Sequence, residues 1–244
     1  MELLIWSIII GYFLIGAVLI SFINQKTAQQ RDAKQRWVKY FVYIGIVAGT
    51  VIATEYALPF KFLVMGILLV GGCELVAVGI GSKKTLALVP GVAIYAILSF
   101  GFYHYGVESA RPQLLSVYLL VFVFDGFSQL SGQLFGKYHL LPEISPNKTV
   151  EGLIGGTFLT LVTGMVLHGY IELSVMQAFL FSLGIAAASF GGDVLASVYK
   201  RVTGVKDYSQ LLPGHGGFLD RFDSYIAAGA VYWLFVELHS TIIS

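Results

Sequence analysis

The residues best suited to chemistry lie in two acidic groups near the C-terminal end of the chain. Asp193, Ser197 and Lys200 are spaced at i, i+4 and i+7, so they share one face of a helix. Asp220 and Asp223 follow at i and i+3, where another apolar segment begins. Carboxylates accompanied by hydroxyl groups and few histidines suit Mg²⁺ better than zinc. Carboxylates from two different helices can hold such an ion between them, as a phosphoryl-type transfer requires.

Basic residues surround these carboxylates and favour a phosphorylated ligand. The cations of this segment are Lys200, Arg201, Lys206 and Arg221, and His215 precedes the pair Gly216 and Gly217. Lysine and arginine beside a Mg²⁺ site suit a polyphosphate. The alternative is a loop at the membrane edge whose charges merely compensate one another.

A second cluster begins at Asp125 inside an apolar segment. At 100° per residue, Asp125, Ser128, Gln129, Gly132 and Gly136 share one helical face. A polar stripe with glycines inside a membrane helix lines a cavity or makes a tight helix contact, and an ionisable residue at that depth is a candidate for function. The alternative is a packing stripe in which a neighbour satisfies Asp125.

A third cluster runs from Ser145 to Gly156. Ser145-Pro146 predicts a turn, and Lys148-Thr149 then opens a helix. The N-terminus of a helix suits phosphate, and Glu151 would counter a cation or cap the helix. The glycines of this cluster would let another helix approach closely; they are Gly152, Gly155 and Gly156.

The elements that position these clusters are membrane spans. The 244 residues are 57% hydrophobic and 12% charged, whereas soluble domains are about 45–50% apolar and about 25% charged. With a mean hydropathy of +0.79, the composition predicts an all-α, polytopic membrane bundle and argues against secreted and cytosolic classes. Apolar runs predict about eight spans, at 3–23, 40–58, 62–80, 85–103, 113–136, 150–171, 175–198 and 219–243.

The remaining totals exclude other classes of protein. A net charge of +1 argues against a nucleic-acid binder. The single cysteine, Cys73, permits no internal disulfide and no cysteine-based zinc site. We expect the first apolar run to be a retained span rather than a cleaved signal, because no basic segment precedes it.

The basic residues predict the orientation of these spans. With eight spans and the N-terminus outside, thirteen of the fifteen Lys and Arg residues fall in the inside segments 24–39, 81–84, 137–149 and 199–221. Lys61 and Arg111 stay outside. We therefore expect a multi-pass protein of a bacterial-type inner or plasma membrane, with all three clusters facing the cytoplasm. The basic segment 24–39 either reports orientation alone or also attracts anionic lipid.

The chain is predicted to be a single membrane domain, residues 1–244. Residues 1–110 would form structural, lipid-facing spans, and residues 113–244 a catalytic half with its motif at 193–223. Glu74, in the third span, is either bonded in neutral form to a neighbouring helix or lines a polar cavity under the Asp125 stripe, where it helps to order the metal or Lys148.

The stretch from Ser197 to Asp223 resembles the signature of the phosphatidate cytidylyltransferase family, also called CDP-diacylglycerol synthases. The pattern is S-x-x-K-R, four residues, K-D, and then P-x-H-G-G-x-x-D-R-x-D. The upstream segment Ser-Pro-Asn-Lys-Thr-x-Glu-Gly and the Asp125 to Lys137 segment resemble the family as well. The resemblance covers about residues 120–244.

This resemblance implies condensation of CTP with phosphatidate, giving CDP-diacylglycerol and pyrophosphate with Mg²⁺. Asp193 and Asp220 would hold the metal, with Asp223 and Asp207 in support. The triphosphate would be cradled by Lys200, Arg201 and Lys206, and Arg221 or Lys148 would meet the lipid phosphate. Asp125, Ser197, Gly216 and Gly217 would contribute to substrate binding, and His215 would either position a phosphate or order the glycine loop.

Several alternatives stay open at this stage. The sequence leaves open whether a second, monovalent cation lies beside Mg²⁺ and whether the protein forms a homodimer. A related membrane enzyme would use CTP to phosphorylate a polyprenol or phytol, and its products would be a phospholipid and CDP. A non-enzymatic transporter or scaffold would also carry intramembrane carboxylates, but it would not need the basic loop between acidic helix ends.

Overall fold

The computed structural model describes residues 2–25, 30–82, 87–211 and 216–243, which form eight long helices and one small β-hairpin. The predicted all-α bundle is therefore confirmed. The helices are α1 (Glu2–Gln25), α2 (Gln30–Ala53), α3 (Ala57–Gly81), α4 (Leu88–Glu108), α5 (Arg111–Phe135), α6 (Val150–Leu167), α7 (Val175–Thr203) and α8 (Leu219–Ile243). The hairpin lies between α5 and α6 and pairs β1 (His139–Leu141) with β2 (Ser145–Thr149) in antiparallel register.

Described parts of two segments predicted to lie inside, 137–149 and 199–221, meet at one end of the bundle, which we call the hairpin end. Arg201 at the end of α7 donates from Nε to the carbonyl of Ile144 in the hairpin (2.9 Å). At the opposite end, Arg111 at the start of α5 pairs with Glu55 in the α2–α3 turn. The chain thus passes from end to end with each helix, as a multi-pass membrane protein does.

Seven of the eight helices, α1 to α7, are long and apolar enough to cross a membrane. Helix α8 falls outside this group, yet it also runs between the two ends. It begins beside α3 at the hairpin end, and its Trp233 donates from Nε1 to Glu108 at the far end of α4 (3.0 Å). The geometry of α8 therefore agrees with the predicted count of about eight spans.

Helix α5 lies at the centre of the bundle. Its residues from Leu114 to Phe124 are all buried. It packs closely against α6, because a Cβ at Gly152 would lie 2.6 Å from the carbonyl oxygen of Ser128, and one at Gly156 would lie 2.8 Å from that of Phe124. The predicted close approach at these glycines is confirmed.

The structure differs from the predicted boundaries at α2 and at the hairpin. Helix α2 begins at Gln30 rather than at 40, so part of the basic segment is helical; Gln, Arg, Ala and Lys are good helix formers. The turn predicted at Ser145-Pro146 occupies residues 142–144 instead, and these two residues begin β2. A two-stranded hairpin tolerates a proline because its outer edge needs no donor.

Candidate functional site

The hairpin brings Lys148 to the polar face of α7. Lys148 Nζ lies 3.0 Å from Asp193 Oδ2, and Ser197 donates from Oγ to Asp193 Oδ1 (3.3 Å). The predicted shared face of Asp193 and Ser197 is therefore present. The side chain of Asp193 is 39% exposed, so its carboxylate stays accessible to a ligand.

The hairpin is held in this position by the first turn of α6. Thr149 caps the helix, because its Oγ1 accepts a hydrogen bond from Gly152 N (3.1 Å). Glu151 accepts hydrogen bonds from the backbone N–H groups of Lys137 (3.0 Å) and Tyr138 (3.4 Å), which follow α5. Glu151 thus fixes the entry to the hairpin. The helix predicted to open at Lys148-Thr149 begins at Val150, because these two residues end β2 and Thr149 serves as the cap.

Three carboxylates from three helices converge at the hairpin end. Asp125 on α5, Asp193 on α7 and Asp223 on α8 are close enough to repel one another. Close packing at Gly192, where a Cβ would lie 2.8 Å from the carbonyl oxygen of Asp223, brings α7 and α8 together. Asp125, Asp193 and Asp223, which we call the acidic group, therefore concentrate negative charge at this end of the bundle.

Asp220 faces a different set of partners. Its Oδ1 lies 2.5 Å from Lys200 Nζ, and its Oδ2 accepts hydrogen bonds from the backbone N–H groups of Tyr208 (2.9 Å) and Gly217 (2.8 Å). The side chains of Asp220 and Lys200 are only 3% and 10% exposed. This ion pair ties the α7–α8 loop to the start of α8, and the predicted roles of Asp220 as a metal ligand and of Lys200 in the triphosphate cradle stay predictions.

The predicted ligands Asp193, Asp220 and Asp223 are not gathered into one group among the described residues, and their role as metal ligands stays a prediction. Within residues 2–25, 30–82, 87–211 and 216–243, no three His, Cys, Asp or Glu side chains are arranged to hold a metal ion. Protein donors contact both oxygens of Asp220, from Lys200 and from the backbone of Tyr208 and Gly217. Asp125 takes its place beside Asp193 and Asp223 in the acidic group.

Glu74 reaches from α3 to the start of α8, a contact that sequence reasoning missed. Its Oε1 accepts from Ser209 Oγ (2.5 Å) and Phe218 N (2.9 Å), and its Oε2 accepts from Leu219 N (2.7 Å). Glu74 is thus the N-terminal cap of α8. All three donors belong to α8 or to the preceding loop, so the structure does not support a role beside Lys148 or the Asp125 stripe.

A signal for this contact was present in the sequence. The segment Gly217-Phe218 offers no side-chain acceptor for the first N–H groups of α8, and such groups need a partner when they are buried. Glu74 is an isolated carboxylate in an apolar span, and therefore a candidate for that partner.

The glycines before α8 shape the loop between α7 and α8, residues 204–218. Gly216 has φ +82°, a conformation that suits glycine. A Cβ at Gly217 would lie 2.9 Å from Glu74 Oε2 and 3.0 Å from Asp220 Oδ2. Gly216 and Gly217 thus let the loop pass between two carboxylates, while His215 lies outside the described residues.

The other predicted cations are distributed around the hairpin end. Arg201 donates to the carbonyls of Ile144 (2.9 Å) and Val205 (3.0 Å), so it joins the hairpin to the end of α7. Lys206 and Asp207 are exposed on the loop, and Arg221 is exposed on the first turn of α8. These placements leave Lys206 and Arg221 as the predicted phosphate ligands with exposed side chains, whereas the side chain of Lys148 is only 16% exposed.

Two cavities flank the first turns of α8. A cavity of about 290 Å³ lies between α1, α2, α5 and α8, and Asp125, Gln129 and Arg221 line it. An apolar cavity of about 200 Å³ lies on the other side, between α4, α7 and α8, with Asp223 and Tyr208 in its wall. Burial raises the pKa of the Tyr208 phenol, and the nearby carboxylates raise it further, so this group stays protonated at neutral pH.

The sequence profile described as "Cytidylyltransferase family" matches residues 3–239. This chain belongs to the cytidylyltransferase family. The match covers the N-terminal helices as well as the half of the chain that carries the acidic group.

Individual relatives give a narrower comparison. Proteins named phosphatidate cytidylyltransferase from Staphylococcus aureus (strain COL) and Staphylococcus epidermidis (strain ATCC 12228) are 37% identical over 134 residues, or 54% of this chain and 52% of theirs. One of the same name from Staphylococcus saprophyticus is 42% identical over 115 residues, 46% of this chain and 44% of its own. The chain thus spans about half the length of the curated relatives it matches.

Proposed function

We propose that this protein transfers the cytidylyl group of CTP to phosphatidate, releasing pyrophosphate. The observation that carries this proposal is the convergence of Lys148 with the acidic group at one end of a membrane bundle. Family membership and the names of the relatives support it. A lipid acceptor accounts for a polar site at the end of apolar helices.

The chemistry requires charge neutralisation rather than a strong base. The phosphomonoester of phosphatidate has a second pKa near 6, as phosphoserine does, so at neutral pH it is mostly a dianion and already a nucleophile. One of its oxygens forms a bond to the α-phosphorus of CTP, and the bond from that phosphorus to the β-phosphate bridging oxygen breaks. The bonding electrons leave with pyrophosphate, and no proton needs to move.

The difficulty of this reaction is the approach of two anions. Lys206 and Arg221 are exposed cations that would hold the phosphates, and Lys148, which is paired with Asp193, would join them. Positioned cations lower the barrier because they offset the charge that builds up on the transferred group and on the leaving group. Alignment of the acceptor oxygen with the bond that breaks gives a further gain.

The acidic group fits Mg²⁺ by its donor chemistry. Asp193 and Asp223, with Asp125 beside them, supply the carboxylate oxygens that this hard cation prefers. When bound there, the ion would neutralise phosphate charge and polarise the transferred phosphorus. Asp220, which is buried and paired with Lys200, would reach the ion only if that pair opened.

We infer that the site faces the cytoplasm of a bacterial plasma membrane. Thirteen of the fifteen Lys and Arg residues lie in segments predicted to be inside, and the hairpin end gathers those of them that the structure describes. CTP is a cytosolic nucleotide, so this orientation would give the site access to it.

The direct test uses the purified protein with phosphatidate in detergent micelles, Mg²⁺ and CTP labelled at the α-phosphate. We expect labelled CDP-diacylglycerol and unlabelled pyrophosphate. A phosphorylated lipid with release of CDP would instead show a CTP-dependent lipid kinase, and would overturn the proposal.

The acidic group is tested by Asp193→Asn and Asp223→Asn. Each should lower turnover by about a hundredfold or more, since electrostatic groups at the reacting centre commonly have effects of that size. The matched control is Glu143→Gln, an exposed carboxylate in the hairpin turn at the same end. Near-normal turnover in both aspartate variants, or an equal loss in the control, would contradict the assignment.

A further inference from the structure

Basic residues line one side of the 290 Å³ cavity, and two of them have no role in the proposed reaction as described so far. Arg36 and Lys39, on the first turns of α2, line it together with Arg221 from α8. Arg36 is half-buried, and its Nη1 donates to Asn24 Oδ1 near the end of α1 (2.9 Å). Two cations from the N-terminal helices thus border the same space as the predicted site residue Arg221.

The walls of this cavity are aromatic and firmly packed. Tyr40 donates from its hydroxyl to the carbonyl of Phe13 (2.6 Å), which joins α2 to α1. The Phe13 ring packs against Phe122 of α5 with a centroid distance of 5.1 Å, and Tyr43 packs against Phe122 at 5.5 Å. The cavity therefore offers cations on one side and apolar rings around them, which suits an anion attached to an apolar molecule.

Carboxylates border the cavity on the side that faces the acidic group. Asp125 and Asp220 also border it, but the carboxylate of Asp220 is neutralised by Lys200. Asp125 remains, and it belongs to the acidic group where the reaction is proposed to occur. An anion held by Arg36, Lys39 and Arg221 would lie beside that group.

We propose that this cavity binds the phosphomonoester headgroup of the lipid acceptor, with Arg36 and Lys39 as binding residues. The inference rests on the proposed function and extends its acceptor site into the N-terminal helices. A lipid is favoured over the nucleotide because α1 and α2, which form the outer wall, are membrane spans with largely exposed apolar side chains. Arginine suits the ligand because its planar fork matches a phosphate with two hydrogen bonds.

The first test measures initial rates for Arg36→Gln and Lys39→Gln. Loss of one charge-assisted hydrogen bond should raise the KM for phosphatidate about tenfold, while the KM for CTP changes less than about twofold. The matched control is Lys34→Gln, which removes an exposed cation from the same helix without changing the cavity lining. Arg36→Lys keeps the charge but not the fork, so it should recover part of the lipid affinity.

The second test does not depend on turnover, so it separates this inference from the proposed reaction. In detergent, short-chain phosphatidate should raise the thermal unfolding midpoint of the wild type and of Lys34→Gln. It should raise that of Arg36→Gln and Lys39→Gln far less. If the wild type forms no CDP-diacylglycerol but shows this pattern, the binding site stands and the proposed reaction falls.

Three results would overturn the inference. The first is a raised KM for CTP with an unchanged KM for phosphatidate, which would place the nucleotide in the cavity. The second is an equal effect of Lys34→Gln and Arg36→Gln, which would reduce the effect to general attraction of anionic lipid. The third is stabilisation by glycerol 3-phosphate as strong as that by phosphatidate, which would show a site for soluble phosphates.

Discussion

The substitution Glu74→Gln tests whether a residue of α3 positions the start of α8. The carboxylate accepts at both oxygens, from Ser209 Oγ and Phe218 N at Oε1 and from Leu219 N at Oε2. Glutamine has one acceptor oxygen, and its amide nitrogen is a donor. In either orientation the side-chain NH₂ would face a backbone N–H group, so at least one capping bond is lost.

The magnitude follows from the bond that is lost. A hydrogen bond to a charged group contributes about 1.5–3 kcal/mol, and the carboxylate also interacts favourably with the positive end of the helix dipole. Because 1.4 kcal/mol corresponds to a factor of ten, the ordered start of α8 should become about ten- to a hundredfold less populated relative to open forms. Asp223 lies one turn further along α8, so its position depends on the ordered start of the helix. We expect turnover to fall by about tenfold or more when opening of this first turn limits the rate.

The assay has two readouts. Turnover is measured with CTP and phosphatidate, and exchange of the backbone amides in residues 216–224 is followed by mass spectrometry in detergent. The control is Glu55→Gln, which removes a carboxylate paired with Arg111 at the opposite end and should leave amide exchange in 216–224 unchanged. Full turnover and unchanged exchange in Glu74→Gln would refute the capping role.

Three further predictions concern stability and orientation. Asp220→Asn should lower the thermal unfolding midpoint in detergent, because breaking a buried ion pair leaves a charge uncompensated; an unchanged midpoint would argue against the pairing. Gly156→Ala should lower the midpoint as well, since overpacking costs about 1–3 kcal/mol, whereas Gly184→Ala, with open space at its Cβ, should not. Gln210→Cys in a Cys73→Ala background should react with an impermeant maleimide only after the membrane is opened, and labelling of sealed cells would reverse the orientation.

The bundle and the local faces could be predicted because they depend on periodic and short-range features. Apolar runs of span length indicated the helices, and the alternation of basic residues agreed with the two ends of the bundle. Asp193 and Ser197 share a face because their spacing is one helical turn. Gly156 allowed a close helix contact because it has no side chain. None of these inferences required the path of a loop.

The partners of individual carboxylates could not be predicted in this way. Asp220 and Asp223 have the same residue type and lie one turn apart, yet only Asp220 reaches Lys200. That difference depends on how the α7–α8 loop returns to the bundle. The contact of Glu74 with Leu219 joins positions far apart in sequence. The cavity that Arg36 lines depends on the packing of α1 and α2 against α5. Neither the contact nor the cavity produces a periodic pattern in the sequence.

The two buried carboxylates next to Gly217 explain how distant segments can hold the acidic group in place. Asp220 accepts from the N–H of Gly217, and Glu74 accepts from the next two N–H groups of the chain. Lys200 supplies the compensating charge to Asp220 from α7, so one short stretch of loop is tied to α3, α7 and α8 at once. These contacts also set the position of Asp223, because it lies one turn after Asp220 in the same helix and the first turn of that helix is held in place. The site therefore depends on carboxylates that hold the loop as much as on those that face a ligand, and the N-terminal half of the chain supplies one of them.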